Sequence, residues 1–103
     1  MNRQMNQMSG GLGPTFTPKQ GQYLAFIDAY ARLNRCPPAE SDMQRFFRVA
    51  PPSVHQMILT LERAGLIRRR PGAPRSIEVL VPPENLPVLQ AHPQPVKTSV
   101  TRY

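Results

Sequence analysis

The chain has 103 residues, 13 of them proline, and a formal net charge of +7 from 13 basic and 6 acidic side chains. That length supports one small domain plus tails. Cys36 is the single cysteine, so an intrachain disulfide and a cysteine zinc cluster are excluded, and no apolar run suits a membrane helix or a signal-peptide core, which makes a soluble cytoplasmic protein the default.

Residues 1–14 are rich in Met, Asn, Gln, Ser and Gly without periodicity and read as a flexible N-terminal tail. Five prolines between Pro82 and Pro95 mark 82–103 as a proline-containing, linker-like extension. The segment 82–89 keeps some apolar content with which to pack back or to mediate contacts. The folded unit is then 15–81, about the size at which one core suffices. Within 16–81, one Lys and nine Arg face five acidic residues, so the folded part is itself basic. Such a balance points to a polyanion, most commonly nucleic acid, or to no more than a solvated surface. The preference for arginine favours phosphate and base contacts, because the guanidinium binds in a planar, bidentate way.

Thr17-Pro18-Lys19-Gln20 is a helix start, with Thr17 as cap, Pro18 at the first helical position and Gln20 completing a capping box. Tyr23, Leu24, Phe26, Ile27, Tyr30, Ala31 and Leu33 then form an apolar stripe, and Cys36-Pro37-Pro38 ends the helix at about 33. That stripe is core. Residues 38–47 read as a shorter second helix, acidic in its first turn and basic near its end, with Met43, Phe46 and Phe47 as the buried edge. Arg48-Val49-Ala50 is a tight connection. A third helix runs from about Pro52 to the Gly65 stop, burying Val54, Met57, Ile58 and Leu61 and leaving Pro52, Ser53, Gln56, Thr60 and Arg63 to solvent. After it, 66–70 and 75–81 read as two strands about Pro71-Gly72, with Ile77, Val79 and Val81 on one face. The expected fold is mainly α with a small β-hairpin: a winged helix-turn-helix of three helices plus a wing.

Several stretches, taken together, resemble the DNA-binding domain of LexA-type repressors. They are Phe16-Thr17-Pro18-Lys19-Gln20, the Pro37-Pro38 pair, Ser53-Val54-His55, the run from Leu61-Glu62-Arg63-Ala64-Gly65 through Leu66-Ile67-Arg68-Arg69, and Pro71-Gly72-Ala73-Pro74-Arg75-Ser76-Ile77. The resemblance covers about 16–81 in unbroken order. It implies a winged domain that reads double-stranded operator DNA, with the family's base-contacting face falling on Ala50, Pro52, Ser53, His55 and Gln56. Full-length members continue into a self-cleaving domain with a serine–lysine dyad. The 22 residues after Val81 are too few to fold one, and Lys97 and Ser99 have nothing to desolvate the lysine, so no catalysis is expected. The family's serine-rich turn is replaced by Val49-Ala50-Pro51-Pro52, so the family's operator does not carry over.

Chemistry assigns roles within that frame. Gln56 suits a bidentate pair with adenine, or is merely solvated. Ser53 suits a base or phosphate near the helix start, where backbone amides favour anions, or a local hydrogen bond. Pro52 offers an apolar edge. His55 sits on the flank, to donate to DNA or to pack, and without a second histidine at i+4 it is no metal ligand. Thr60 and Arg63 continue the same side toward phosphates. Arg68, Arg69, Arg70 and Arg75 bracket the wing tip, where phosphates or a minor groove would lie, or else guard an edge strand by charge. Strand alternation puts Arg68 and Arg70 on one face and Arg69 on the other. Lys19, Arg45 and Arg48 are further candidates near helix starts or the turn.

The expected function is sequence-specific regulation, as a repressor acting by site occupancy at the bacterial nucleoid. No cofactor, metal, small-molecule ligand or membrane partner is expected, and pairing with a second copy is open. Rival classes are a winged-helix protein adaptor, an RNA binder and an enzyme. The adaptor would need a large apolar patch, the RNA binder exposed aromatics, and the enzyme a nucleophile–base or metal constellation.

Overall fold

A computed structural model describes residues 15–90; the N-terminal tail 1–14 and residues 91–103 of the extension lie outside the described residues. Three helices, α1 (Pro18–Asn34), α2 (Glu40–Phe47) and α3 (Pro51–Arg63), precede two short strands, β1 (Ile67–Arg68) and β2 (Glu78–Val79). The strands pair antiparallel, Ile67 opposite Val79 and Arg68 opposite Glu78. This is the winged helix-turn-helix that the sequence pattern predicts.

The reciprocal cap at α1 is present. The Thr17 hydroxyl accepts from the Gln20 amide at 3.1 Å, and the Gln20 side chain accepts from the Thr17 amide at 2.9 Å. Tyr23, Leu24, Phe26 and Ile27 are buried along this helix. Leu33, expected on the same stripe, is 82% exposed, because the last turn of α1 runs past the core and ends at Arg35 in the left-handed conformation. Proline at 37 and 38 keeps the next helix from starting until Glu40, two residues later than the pattern suggests.

The core is one cluster in which Tyr23, Leu24, Ile27, Met43, Val54, Ile58 and Leu61 meet Leu66, Ile67 and Ile77. The Tyr23 ring stacks on Phe47 at 4.1 Å between centroids, and Phe26 lies 4.6 Å from Phe46. α3 closes with a glycine-dependent stop. Gly65 takes φ +78°, its amide donates to the Glu62 carbonyl, and the Leu66 amide donates to the Leu61 carbonyl, both at 3.0 Å. That paired arrangement turns the chain directly into β1.

The ladder is shorter than the alternation of 75–81 suggests. Pro71 and Pro74 have no N–H to donate, so residues 69–77 form a loop instead of longer strands. Gly72 at φ +74° and the Ala73 amide donating to the Arg70 carbonyl (3.1 Å) make a tight turn with Pro71 at its second position. Ser76 closes the loop. Its hydroxyl accepts from the Arg70 amide at 3.0 Å and donates toward the Ala73 carbonyl at 2.9 Å.

Packed chain continues past Val81, the end expected for the folded unit. After a single tight turn at Pro83–Asn85, Leu86 and Leu89 pack against the core cluster. The Gln22 side chain donates through Nε2 to the Val88 carbonyl at 3.0 Å and accepts through Oε1 from the Gln90 backbone amide at 2.8 Å, as a strand neighbour would. A Cβ on Gly21 would lie 3.0 Å from both the Phe16 ring and the Pro87 ring, so glycine there is what lets the returning chain approach α1. Within 82–90 the prolines leave a single short turn as regular structure, and Leu86 and Leu89 between and after them suffice for docking.

Candidate nucleic-acid interface

The outward side of α3 follows from its period. Val54, Ile58 and Leu61 are fully buried and Met57 partly so, which turns Pro52, Ser53, Gln56 and Arg63 to solvent. Among the described residues the Ser53 hydroxyl and the Gln56 side-chain amide make no hydrogen bond, so both side chains are free to meet a partner. The Thr60 hydroxyl is committed to the Gln56 carbonyl at 2.9 Å, one turn back, and is half-buried. His55 is exposed, and its Nδ1 lies 3.5 Å from Glu40 Oε2 at the start of α2.

The beginning of α3 is unusual. Ala50 is its N-cap and has no side chain with which to cap. Pro51 and Pro52 have no N–H, and the amides of Ser53 and Val54 both point back to the Ala50 carbonyl, at 3.0 and 3.4 Å. A helix start usually presents free amides to an anion. Here the donors are missing or internally used, so the amide contribution expected beside Ser53 is absent. Ala50, Pro51 and Pro52 are all exposed and give the helix an apolar, donor-free tip.

The cations divide into two groups. Arg32 pairs with Asp28, Arg45 with Asp42, and Arg68 with Glu78 across the strands at 2.8 Å. Arg69 turns inward, as strand alternation predicts: its Nε is 3.1 Å from Glu62, its Nη1 is 3.9 Å from Glu40, and only 24% of the side chain is exposed. Arg75 reaches away from the wing to Tyr30, Pro37 and Asp42. Among the described residues, Lys19, Arg35, Arg48, Arg63 and Arg70 keep side chains with no carboxylate partner. Arg48 stands between α2 and α3 in the left-handed conformation, and Arg70 opens the wing loop. The helix-turn-helix and the wing loop therefore each carry a guanidinium without a carboxylate partner.

Asp42 is the one buried charged side chain among the described residues, 8% exposed. Ala39 has no side chain to cap α2, and Asp42 forms the other half of the capping box by accepting from the Ala39 amide at 2.8 Å. That backbone hydrogen bond is the largest influence holding its carboxyl below the ordinary carboxylate value. The charges of Arg75 and Arg45 and the Tyr30 hydroxyl act in the same direction and outweigh desolvation. Sequence reasoning found Arg75 but not its anchors, Tyr30 and Asp42. The available signal was an acidic residue three positions after an alanine N-cap, which marks a carboxylate bound to fold back. No group of three or more metal-ligating side chains occurs among the described residues, and no helix there is long and apolar enough to cross a membrane.

Comparison with known proteins places this geometry. The family model of the LexA DNA binding domain matches residues 14–76. The LexA repressor of Thermotoga neapolitana is 35% identical over 63 residues, 61% of this chain and 32% of that protein. The LexA repressor of Thermosipho africanus is 33% identical over 72 residues, 70% of this chain and 36% of the relative. That of Thermosipho melanesiensis is 33% identical over 70 residues, 68% and 35% of the two chains. The chain spans about a third of the length of these relatives. With the family model matched across all three helices and most of the wing loop, the chain belongs to the LexA DNA-binding domain family.

Proposed function

We propose that the chain is a sequence-specific, double-stranded DNA-binding regulator that represses by occupying its site, in the cytoplasm at the bacterial nucleoid. The observation that carries this reading is the α3 face, where Ser53 and Gln56 have no internal partner and cations without carboxylates flank them. α3 lies in the major groove. Gln56 pairs with a base, Ser53 and His55 reach neighbouring base edges or phosphates, and Ala50 and Pro52 lay an apolar edge against the groove floor.

Phosphates are held by Lys19, Arg48, Arg63 and Arg70, with Thr60 beside them and Arg68 joining when it leaves Glu78. The wing overlies the adjacent backbone or minor groove. Arg69 supports it from behind through Glu62. No step is catalytic and no cofactor takes part.

Incubating the chain with a pool of random duplexes at low salt, followed by gel-shift selection, tests the reading. A shifted complex enriched in one short motif is the expected result, and failure to form any complex at low salt would refute it. A two-fold symmetric motif would show two copies on one site, a non-repeating one a single copy.

A further inference from the structure

One side chain, Arg75, ties the wing loop to both α1 and α2. Arg75 adopts φ +55°, a left-handed conformation unfavourable for a residue with a Cβ. That conformation aims its guanidinium away from the loop and across to the helices. Its Nη1 donates to the Tyr30 hydroxyl at 3.1 Å and to the Pro37 carbonyl at 3.2 Å, and lies 3.2 Å from Asp42 Oδ2. The guanidinium carbon stands 5.9 Å from the centre of the Tyr30 ring. Asp42 is fixed from the other side, by the Ala39 amide at 2.8 Å and by Arg45 at 2.6 Å. α1, the bend before α2 and the first turn of α2 thus converge on a residue of the wing loop, whose strands pair over only two residues each. Strain of this kind persists where surrounding contacts over-determine it.

We propose that Arg75 is a positioning residue for DNA binding: it latches the wing loop to Asp42 and Tyr30, sets the angle at which Arg70 and Arg68 meet the duplex, and contacts no phosphate itself. The proposal rests on the DNA-binding reading above. It makes an acidic residue necessary for binding a polyanion, the reverse of what charge alone would give, because removing a carboxylate near a DNA surface ordinarily strengthens association.

The test compares the full chain with its Asp42→Asn, Arg75→Ala, Arg75→Lys and Tyr30→Phe variants on the duplex selected above, across a range of salt. The latch predicts several-fold weaker binding for Asp42→Asn and for Arg75→Ala, and a double variant no weaker than the worse single one. It also predicts that Arg75→Lys fails to restore affinity, since the lysine nitrogen sits one atom short of the position Nη1 reaches and offers no planar face to the Tyr30 ring. Tyr30→Phe, which removes only a hydroxyl, keeps the readout available should Asp42→Asn unfold the start of α2; it too should bind more weakly. In the NMR spectrum, amide motion should rise in 70–76 for Arg75→Ala while α2 amides stay unchanged.

A direct phosphate contact predicts otherwise. Asp42→Asn would bind as tightly or more tightly, Arg75→Lys would bind nearly as the parent does, and Arg75→Ala would flatten the salt dependence by about 0.9 in log–log slope. That pattern would overturn the latch while leaving the DNA-binding reading intact. Absence of any complex with the parent chain would overturn both.

Discussion

Asp42 shows how much a single carboxylate does in a domain this small. It supplies the N3 half of a capping box on α2 and pairs with two arginines from different elements. With the Ala39 amide and its cationic neighbours holding its carboxyl below the ordinary value of 3.8, its contribution to stability is complete above that value. The contribution is lost as pH falls through the lower value of the folded state. Thermal melts should therefore show the parent losing stability relative to Asp42→Asn only under strongly acidic conditions, and a constant difference down to low pH would contradict the assignment. Arg70 is the opposite case, a charge with no internal partner. Replacing it with alanine should weaken binding to all duplexes alike and lower the log–log salt slope by about 0.9, with little change in melting temperature. An unchanged slope would show that Arg70 does not reach phosphate.

At the scale of elements, the clearest patterns in the sequence are those with a single physical cause. Capping residues, helical period and the Gly65 stop mark all three helices, because each signal is local. The buried residues of α3 follow from the period alone. What stays hidden is non-local. No window around Arg75 indicates that its side chain leaves the wing for Asp42, 33 positions earlier, and the apolar content of 82–89 allows packing back without indicating that it docks on α1. Short strands are equally hard to size, since two prolines in the loop rather than the alternation decide where pairing stops. The docked segment gives a prediction of its own. Gly21→Ala adds a methyl 3.0 Å from Phe16 and Pro87. Alanine also favours the helix by about 0.5–1 kcal/mol over glycine, so net stability should shift by less than about 1 kcal/mol. Hydrogen exchange at the Gln90 amide, which Gln22 protects, should nonetheless accelerate. Unchanged protection there would mean that the returning chain is not held through Gly21.

Across the described residues, the polar side chains proposed to read bases and most of the cations without carboxylate partners belong to different elements. α3 carries Ser53 and Gln56 free of partners but begins with a donor-free proline pair, and Lys19, Arg48 and Arg70, which have no carboxylate partner, lie on other elements. Substitutions on α3 and on the surrounding cations should therefore have different signatures. The Gln56→Ala variant provides the most direct test, through competition between the selected duplex and a scrambled duplex of equal length at fixed salt. The account predicts that the parent prefers the selected duplex, and that Gln56→Ala loses about 1–3 kcal/mol of that preference while its affinity for the scrambled duplex barely changes. Equal weakening on both duplexes, or an undiminished preference, would contradict the claim that α3 reads sequence.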